Sequence, residues 1–243
     1  MRTYGLVGET LGYSFSKQYF ADKFKREHIS NAQYLNFELP QIADVRDLPT
    51  QYEHLSGFNV TIPFKEAILP YLTEIENSAQ QIGAVNTVKI SNGTWTGYNT
   101  DAYGFEESIK PNLQKHHNKA LILGTGGAGK AIKFVLNKLG IAYAEVSRTP
   151  TQNQLSYPQA AEALKSHFIL INTTPLGTHP SINEMPPLPL QHIGNKHLVF
   201  DLIYNPNETK LLKSCRQKGA IIQNGLEMLK LQAEKAWQIW QDV

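Results

Sequence analysis

Apolar and polar residues along the first hundred positions fall into short runs of two different periods. "TYGLVG" (3–8), "YLNFEL" (34–39) and "GFNVTI" (57–62) read as strands, with Val60 and Ile62 alternating against Asn59 and Thr61. "SKQYFADKFKRE" (16–27) predicts a helix, because Phe20 and Phe24 lie four apart and Ser16 suits its N-cap. Residues 64–82 predict further helix. "AVNTVKI" (84–90) and "TWTGYN" (94–99) flank Asn92-Gly93 and predict a hairpin. Together these imply a mixed, mostly parallel α/β unit with the hairpin at one edge.

From residue 101 the rhythm changes. "DAYGFEESI" predicts a short helix and "KPNLQKHHNK" (110–119) a polar connector. Then come "ALILG" (120–124), a helix to Leu139 closed by Gly140, "AYAEV" (142–146), "HFILIN" (167–172) and "HLVFDLI" (197–203). A helix over 207–218 closed by Gly219, and "AIIQ" (220–223), complete the series. Continuous apolar strands separated by helices imply a parallel, doubly wound sheet of Rossmann type, covered on both faces. The proline-rich stretch 177–195 reads as loop. The last segment predicts one amphipathic helix, with Leu226, Leu229, Ala233, Ala236, Trp237 and Trp240 on its apolar stripe. That helix is expected to pack back on the first unit, which gives domains of 1–100 with 225–243, and 101–224.

Composition narrows the function classes. With 243 residues and a formal charge of +2, the chain can bury one large core or two modest ones but carries no basic stripe for nucleic acid or anionic membrane. No apolar run approaches the roughly 20 residues that cross a bilayer. The opening "MRTYGLVGETLGYS" lacks a signal-peptide core. A single cysteine, Cys215, read as helical and peripheral, fits a reducing compartment, so a cytoplasmic location is expected. The eight histidines show no zinc-site spacing, and adjacent His116 and His117 are expected to diverge, so no metal is expected.

The strongest local signal is "LILGTGGAGKA" (121–131), where Gly124, Gly126 and Gly129 satisfy G-x-G-x-x-G between a strand and a helix. The first glycine permits the turn and the second lets a pyrophosphate approach backbone N–H groups. The third is expected to allow close helix–strand packing. Two signals compete over which dinucleotide. Glu145 sits near the spacing of an NAD-type ribose ligand, but it precedes Val146 and reads as within the strand. Arg148, between Ser147 and Thr149 at the strand tip, would attract a 2′-phosphate and favours NADP. In the first unit, "NVTIPFKEA" (59–67) places Thr61 and Lys65 at a strand-to-helix turn. Read alone, Lys65 fits a solvated helix-start lysine better than a working group, because most lysines are simply exposed. Asn86 could be a strand-edge amide, and Asp101 a first-turn helix acid.

Taken together, S-x-S at 14–16, N-V-T-x-P-F-K at 59–65, G-A-V-N-T at 83–87, N-T-D at 99–101, the glycine loop, D-x-x-Y-x-P at 201–206 and N-G-L-x-M-L-x-x-Q at 224–232 resemble the shikimate dehydrogenase family. The resemblance runs from Ser14 to Gln232. It implies a substrate domain built from the N-terminal half and the C-terminal helix, with an NADP domain between. The implied reaction is reversible NADPH-dependent reduction of 3-dehydroshikimate to shikimate, in aromatic amino-acid biosynthesis. It assigns Lys65 and Asp101 to the reacting hydroxyl, with Lys65 as acid/base, and Ser14 and Ser16 to the substrate carboxylate. Thr61, Asn86, Gln232 and Tyr204 become further substrate contacts. Gly124, Thr125, Gly126, Gly127, Ala128, Ser147, Arg148, Thr149, Leu202 and Gly225 become cofactor contacts. The chain departs from the family pattern at Thr125, Lys130, Ser147, Ala102 and Thr178, none of which removes a catalytic group. Two alternatives stand beside this: a quinate/shikimate dehydrogenase using NAD, and a non-catalytic NADP-binding scaffold. The family is monomeric or homodimeric.

Overall fold

The protein is described here by a computed structural model covering residues 1–12, 15–124 and 126–242. Two compact units divide the chain: residues 1–100 with the segment from 233 onward, and residues 101–232.

In the first unit, β1 (Arg2–Gly8), α1 (Phe15–Arg26) and β2 (Ala32–Glu38) form a parallel β–α–β start. A 3-10 turn (Ile42–Asp47), α2 (Leu48–Gln51), β3 (Leu55–Val60) and α3 (Phe64–Ala67) follow. A second 3-10 turn (Leu69–Tyr71), β4 (Glu74–Ile75), α4 (Asn77–Ile82), β5 (Thr87–Ser91) and β6 (Thr94–Tyr98) complete it. The sheet order is β2-β1-β3-β5-β6-β4, with β3–β5 and β5–β6 antiparallel. Asn92 (φ 49°) and Gly93 (φ 78°) both take left-handed backbone, as a tight two-residue hairpin turn requires. The hairpin is not the edge, however, because β4 pairs outside β6. The helix expected over 64–82 is interrupted there: Pro70 opens a 3-10 turn, Leu72 is extended, and the chain joins the sheet before α4 begins.

One sheet face buries Phe37, Phe58, Val60 and Val88. The other buries Tyr4, Phe20 and Tyr34 with Trp237 and Trp240. Trp240 stacks on Tyr4 at 4.7 Å between centroids and donates its indole N–H to the Val88 carbonyl at 2.9 Å. Lys23 is buried here with its charge paired, bonding Glu27 at 2.9 Å and Glu234 at 2.7 Å.

The second unit opens on α5 (Thr100–Ile109) and a 3-10 turn (Lys110–Asn112). It continues through β7 (Lys119–Leu123), α6 (Ala128–Lys138), β8 (Ala142–Val146), β9 (Gln154–Leu155), α7 (Tyr157–Ala163) and β10 (Ile169–Asn172). β11 (Leu198–Asp201), α8 (Lys210–Arg216), β12 (Ile221–Asn224) and α9 (Leu226–Gln241) end the chain. All six strands are parallel, in the order β12-β11-β10-β7-β8-β9. Counted from β7, that is 3-2-1-4-5-6, the doubly wound order of dinucleotide-binding folds.

Four further features differ from expectation. The crossover between β8 and β10 carries α7, whose capping box of Ser156 and Gln159 was present in the sequence. Cys215 is fully buried rather than peripheral, because Leu211, Leu212 and Cys215 form the inward stripe of α8; burial pushes its thiol up to about 12. His116 and His117 do not diverge, since they lie in a turn rather than a strand: both Nε2 atoms reach the Lys196 carbonyl, at 2.9 and 3.0 Å. Finally, the return to the first unit falls inside α9, after Gln232, rather than at 225. The early turns of α9 pack on α5, where a Cβ at Gly104 would meet the Cβ of Gln232 at 3.0 Å. Among the described residues no helix is long and apolar enough to cross a membrane.

Burial holds His117, His167 and His197 below the ordinary histidine value of 6.5. Between that value and their lower folded ones the unfolded chain binds more protons, so stability rises with pH. Urea midpoints are therefore expected to be constant above pH 7.5 and to fall as pH drops from 6.5 toward 5. The carboxylates held low by their partners, Glu27, Glu76, Glu106, Glu162 and Glu208, act only near and below 4.5, and Asp201, raised by burial, opposes the trend as it takes up its proton. A midpoint that rises on acidification through this window would contradict the assignment.

Candidate functional site: a nucleotide cleft and a buried polar lattice

The glycine loop lies at the C-terminal end of β7. Gly124 takes φ +103°, and a Cβ there would meet Thr173 Oγ1 at 2.8 Å, so turn and close approach both demand glycine. A Cβ at Gly126 would meet nothing within 4 Å. That glycine leaves open space over the start of α6, where Gly127 is the N-cap and Ala128 the first helical residue. This is the setting in which helix N–H groups receive a phosphate. Gly129 does not behave as expected: no neighbour lies within 4 Å of its would-be Cβ, so close helix–strand packing does not require it. Thr125 lies outside the described residues.

A cleft of about 330 Å³ opens beside the loop, between Gly124 and Gly126, the β8 tip at Ser147, Arg148 and Thr149, and the segment Thr173–Leu176. Arg148 also faces Tyr157, whose phenol is raised by burial while the arginine charge opposes that rise. Glu145 does not reach the tip. It lies within β8 and accepts from Lys133 Nζ of α6 at 3.0 Å. The cleft thus presents a guanidinium at the strand tip and, among the described residues, no carboxylate.

The ends of the neighbouring strands carry polar residues to which the sequence reading gave no role, although Asp201 opens the D-x-x-Y-x-P block. Asn172 ends β10 and Asp201 ends β11, in register. Asn172 Nδ2 donates to Asp201 Oδ1 at 2.9 Å, while Asn172 Oδ1 accepts from the Thr174 backbone N–H and hydroxyl at 3.1 and 2.7 Å. Their signal was a lone polar residue closing an otherwise apolar strand, "ILIN" and "LVFD". Leu202 and Gly225 are brought together just beyond: Gly225 N–H donates to the Ile203 carbonyl at 3.1 Å, and any Cβ at 225 would overlap the Leu202 carbonyl. Neither lines the cleft. Tyr204 follows, half-buried in the loop after β11, and Gln232 is buried in α9.

In the first unit, three short segments are stitched together at the end of β3. Thr61 N–H donates to the Val7 carbonyl at 2.9 Å, Val60 N–H to Asn86 at 2.8 Å, and Val85 N–H to Lys65 at 2.8 Å. Thr61, Lys65 and Asn86 are therefore held at one end of the sheet. Asn86 is buried, and its Oδ1 accepts from the Thr100 N–H at 2.7 Å while Nδ2 donates to Thr100 Oγ1 at 3.0 Å. Thr87 Oγ1 lies 3.1 Å from Thr100 Oγ1 and accepts from Asn59 Nδ2 at 2.9 Å. Asn59 Oδ1 in turn accepts from the Tyr34 hydroxyl at 2.8 Å. Ser16, in the opening turn of α1 rather than capping it, gives its hydroxyl to the Tyr34 oxygen. Asp101 follows Thr100 in the first turn of α5, half-buried. Ser14 lies outside the described residues.

A mixed α/β unit with a polar lattice, joined to a doubly wound unit with a glycine loop and an arginine-lined cleft, defines a dinucleotide-binding α/β protein. Residues 6–88 match the family described as shikimate dehydrogenase substrate binding domain. The chain is 36% identical over 252 residues to the NADP(+) shikimate dehydrogenase of Clostridium botulinum strain Hall, covering 99% of this chain and 96% of that protein. It is 38% identical over 250 residues to that of Staphylococcus haemolyticus, covering 98% and 91%. Among solved structures, the Thermus thermophilus shikimate 5-dehydrogenase in complex with NADP(H) and shikimate superposes with a TM-score of 0.88 at 31% identity, covering 100% of this chain and 94% of that one. The chain belongs to the shikimate dehydrogenase family.

Gly225→Ala tests the close approach behind the cleft. The added methyl collides with backbone that cannot turn aside, so a loss of about 3 kcal/mol or more is expected in denaturant unfolding. Wild-type stability in this variant would contradict the approach.

Proposed function

We propose that this protein interconverts shikimate and 3-dehydroshikimate with NADP(H), an oxidoreductase step of aromatic amino-acid biosynthesis. The observation that carries the reading is full-length similarity to NADP-dependent shikimate dehydrogenases, in a chain whose cleft carries Arg148. NADP(H), when bound, supplies the hydride donor or acceptor. Gly124, Thr125, Gly126, Gly127 and Ala128 would hold its pyrophosphate, Ser147, Arg148 and Thr149 its 2′-phosphate, and Leu202 and Gly225 its far end. Glu145 is engaged by Lys133, which supports NADP over NAD.

In the oxidation direction the reacting carbon loses a hydride and its hydroxyl loses a proton, leaving a ketone. Two electrons leave with the hydride, and the proton needs a protein acceptor. We assign that acceptor to Lys65, with Asp101 orienting and sharing the hydroxyl. As an ammonium, Lys65 also stabilises the alkoxide that forms during reduction of the ketone. Ser14 and Ser16 are assigned to the substrate carboxylate, and Thr61, Asn86, Gln232 and Tyr204 to its ring oxygens. The bonds between Thr100 and Asn86 support the assignment of Asn86, since they set its amide before any ligand arrives. A buried lone cysteine and the absence of a membrane-spanning helix among the described residues favour work in the cytoplasm. All assigned groups come from one chain, which is compatible with a monomer or a homodimer.

Steady-state assays with shikimate and quinate against NADP+ and NAD+ test the reading. Shikimate with NADP+ is expected to be the best pair. Nucleotide binding without turnover of either acid would overturn it in favour of a scaffold. Lys65→Ala should lose at least ~10²-fold in kcat while NADP+ still binds. Arg148→Ala should bind NADP+ about ten- to a hundred-fold more weakly and NAD+ nearly as before, because a charged bond to the 2′-phosphate is lost.

A further inference from the structure

Asp201 is fully buried, and its three hydrogen bonds all come from donors. Oδ1 accepts from Asn172 Nδ2 at 2.9 Å and from the Ile203 N–H at 3.2 Å, and Oδ2 accepts from the Thr209 hydroxyl at 2.6 Å. The two amide groups can only donate and both meet Oδ1, and with the Thr209 hydroxyl donating to Oδ2 the three bonds together favour the ionised form. Among the described residues no lysine or arginine pairs with it. Burial works against the charge and pushes this carboxyl upward, with the three donors opposing. The Cys215 thiol, also buried, is held neutral. A negative charge without a protein counter-charge is costly in such a place and invites a cationic visitor.

The topology says which visitor. Asp201 closes β11, the fifth strand of the 3-2-1-4-5-6 order, and ligands of such sheets lie across the C-terminal strand ends. Arg148 stands at the tip of the second strand, so the phosphorylated adenosine half belongs on that side. The nicotinamide half then belongs over β10–β12. Thr174 lines the cleft and is bonded to Asn172, which is bonded to Asp201. The carboxylate is two hydrogen bonds behind the cleft wall.

We propose that Asp201 supplies a fixed negative charge that favours the oxidised, positively charged nicotinamide over the neutral reduced ring. The inference rests on the NADP(H) reading above. In the reductive direction a hydride passes from the reduced ring to the ketone carbon and leaves a cation behind; the charge favours that outcome. Asp201 acts through its field and through Asn172, so it is a positioning residue rather than a catalytic one.

The test is the ratio of the dissociation constants of NADP+ and NADPH, measured by titration on the full chain. Asp201→Asn keeps the shape, and the Thr209 hydroxyl can turn to accept from the new amide. It is expected to weaken NADP+ at least five-fold more than NADPH. Thr174→Val, which disturbs the wall but not the charge, is expected to weaken both alike. A ratio for Asp201→Asn within two-fold of wild type would overturn the inference. Should that variant fail to fold by circular dichroism, Asn224→Asp decides. It adds a carboxylate at the register partner of Asp201, where one oxygen can still accept from the Leu226 N–H. The other gives up the two bonds that the amide donates to Asn207 and must turn away from those oxygens. The variant should move the ratio toward NADP+. An unmoved ratio there would likewise overturn the inference. Failure of the wild type to bind either form would overturn the underlying function, whereas binding with unmoved ratios overturns only the role of Asp201.

Discussion

The pair of hydrogen bonds between Asn86 and Thr100 is the constraint on which the first unit's functional end depends. Both residues are buried, and an amide flipped the wrong way there would set donor against donor. The Thr100 N–H can only donate, so Asn86 must present Oδ1 to it, at 2.7 Å. That fixes Nδ2 toward Thr100 Oγ1 and sets the direction of the bonds that follow, through Thr87 and Asn59 to Tyr34. A buried network in which every member is satisfied has a single low-energy arrangement, which is how it can hold side chains ready for a polar ligand. The same bonds fix Thr100, from which the backbone delivers Asp101 one residue later.

The second unit uses a related device for a different purpose. β10 and β11 are apolar until their last residue, and Asn172, Asp201 and, at the end of β12, Asn224 form a polar layer across three strand ends. That layer anchors Thr174 on the cleft wall and Leu226 at the start of α9. A sheet buried on both faces can place polar groups only at its ends, so the ligand-binding edge and the polar layer coincide. In both units rigid backbone does the positioning: Thr61, Asn86, Arg148, Asn172 and Asp201 each sit at a strand end or within two residues of one.

What could be read from the sequence was whatever depended on local chemistry. The strand and helix around the glycine loop, the αL turn at Asn92-Gly93 and the amphipathic last helix follow from spacing within a dozen residues. Arg148 at a strand tip could be read for the same reason. What depended on distant partners could not. β4 exists because β6 offers it an edge, Cys215 is buried because α8 turns that face to the sheet, and His116 and His117 converge on a carbonyl some 80 residues away. Asn59, Thr87 and Thr100 looked like ordinary strand and cap residues until the fold paired them. The capping box before α7 is different: it was local, legible and overlooked.

Thr87→Val tests the lattice most directly, because it keeps the side chain's shape and removes only the hydroxyl that joins Asn59 to Asn86 and Thr100. The account predicts a folded protein whose kcat/KM for shikimate falls about ten-fold while its KM for NADP+ is unchanged. Unaltered kcat/KM for shikimate in the folded variant would contradict it, since the bonds beyond the Asn86–Thr100 pair would then contribute nothing to holding the site.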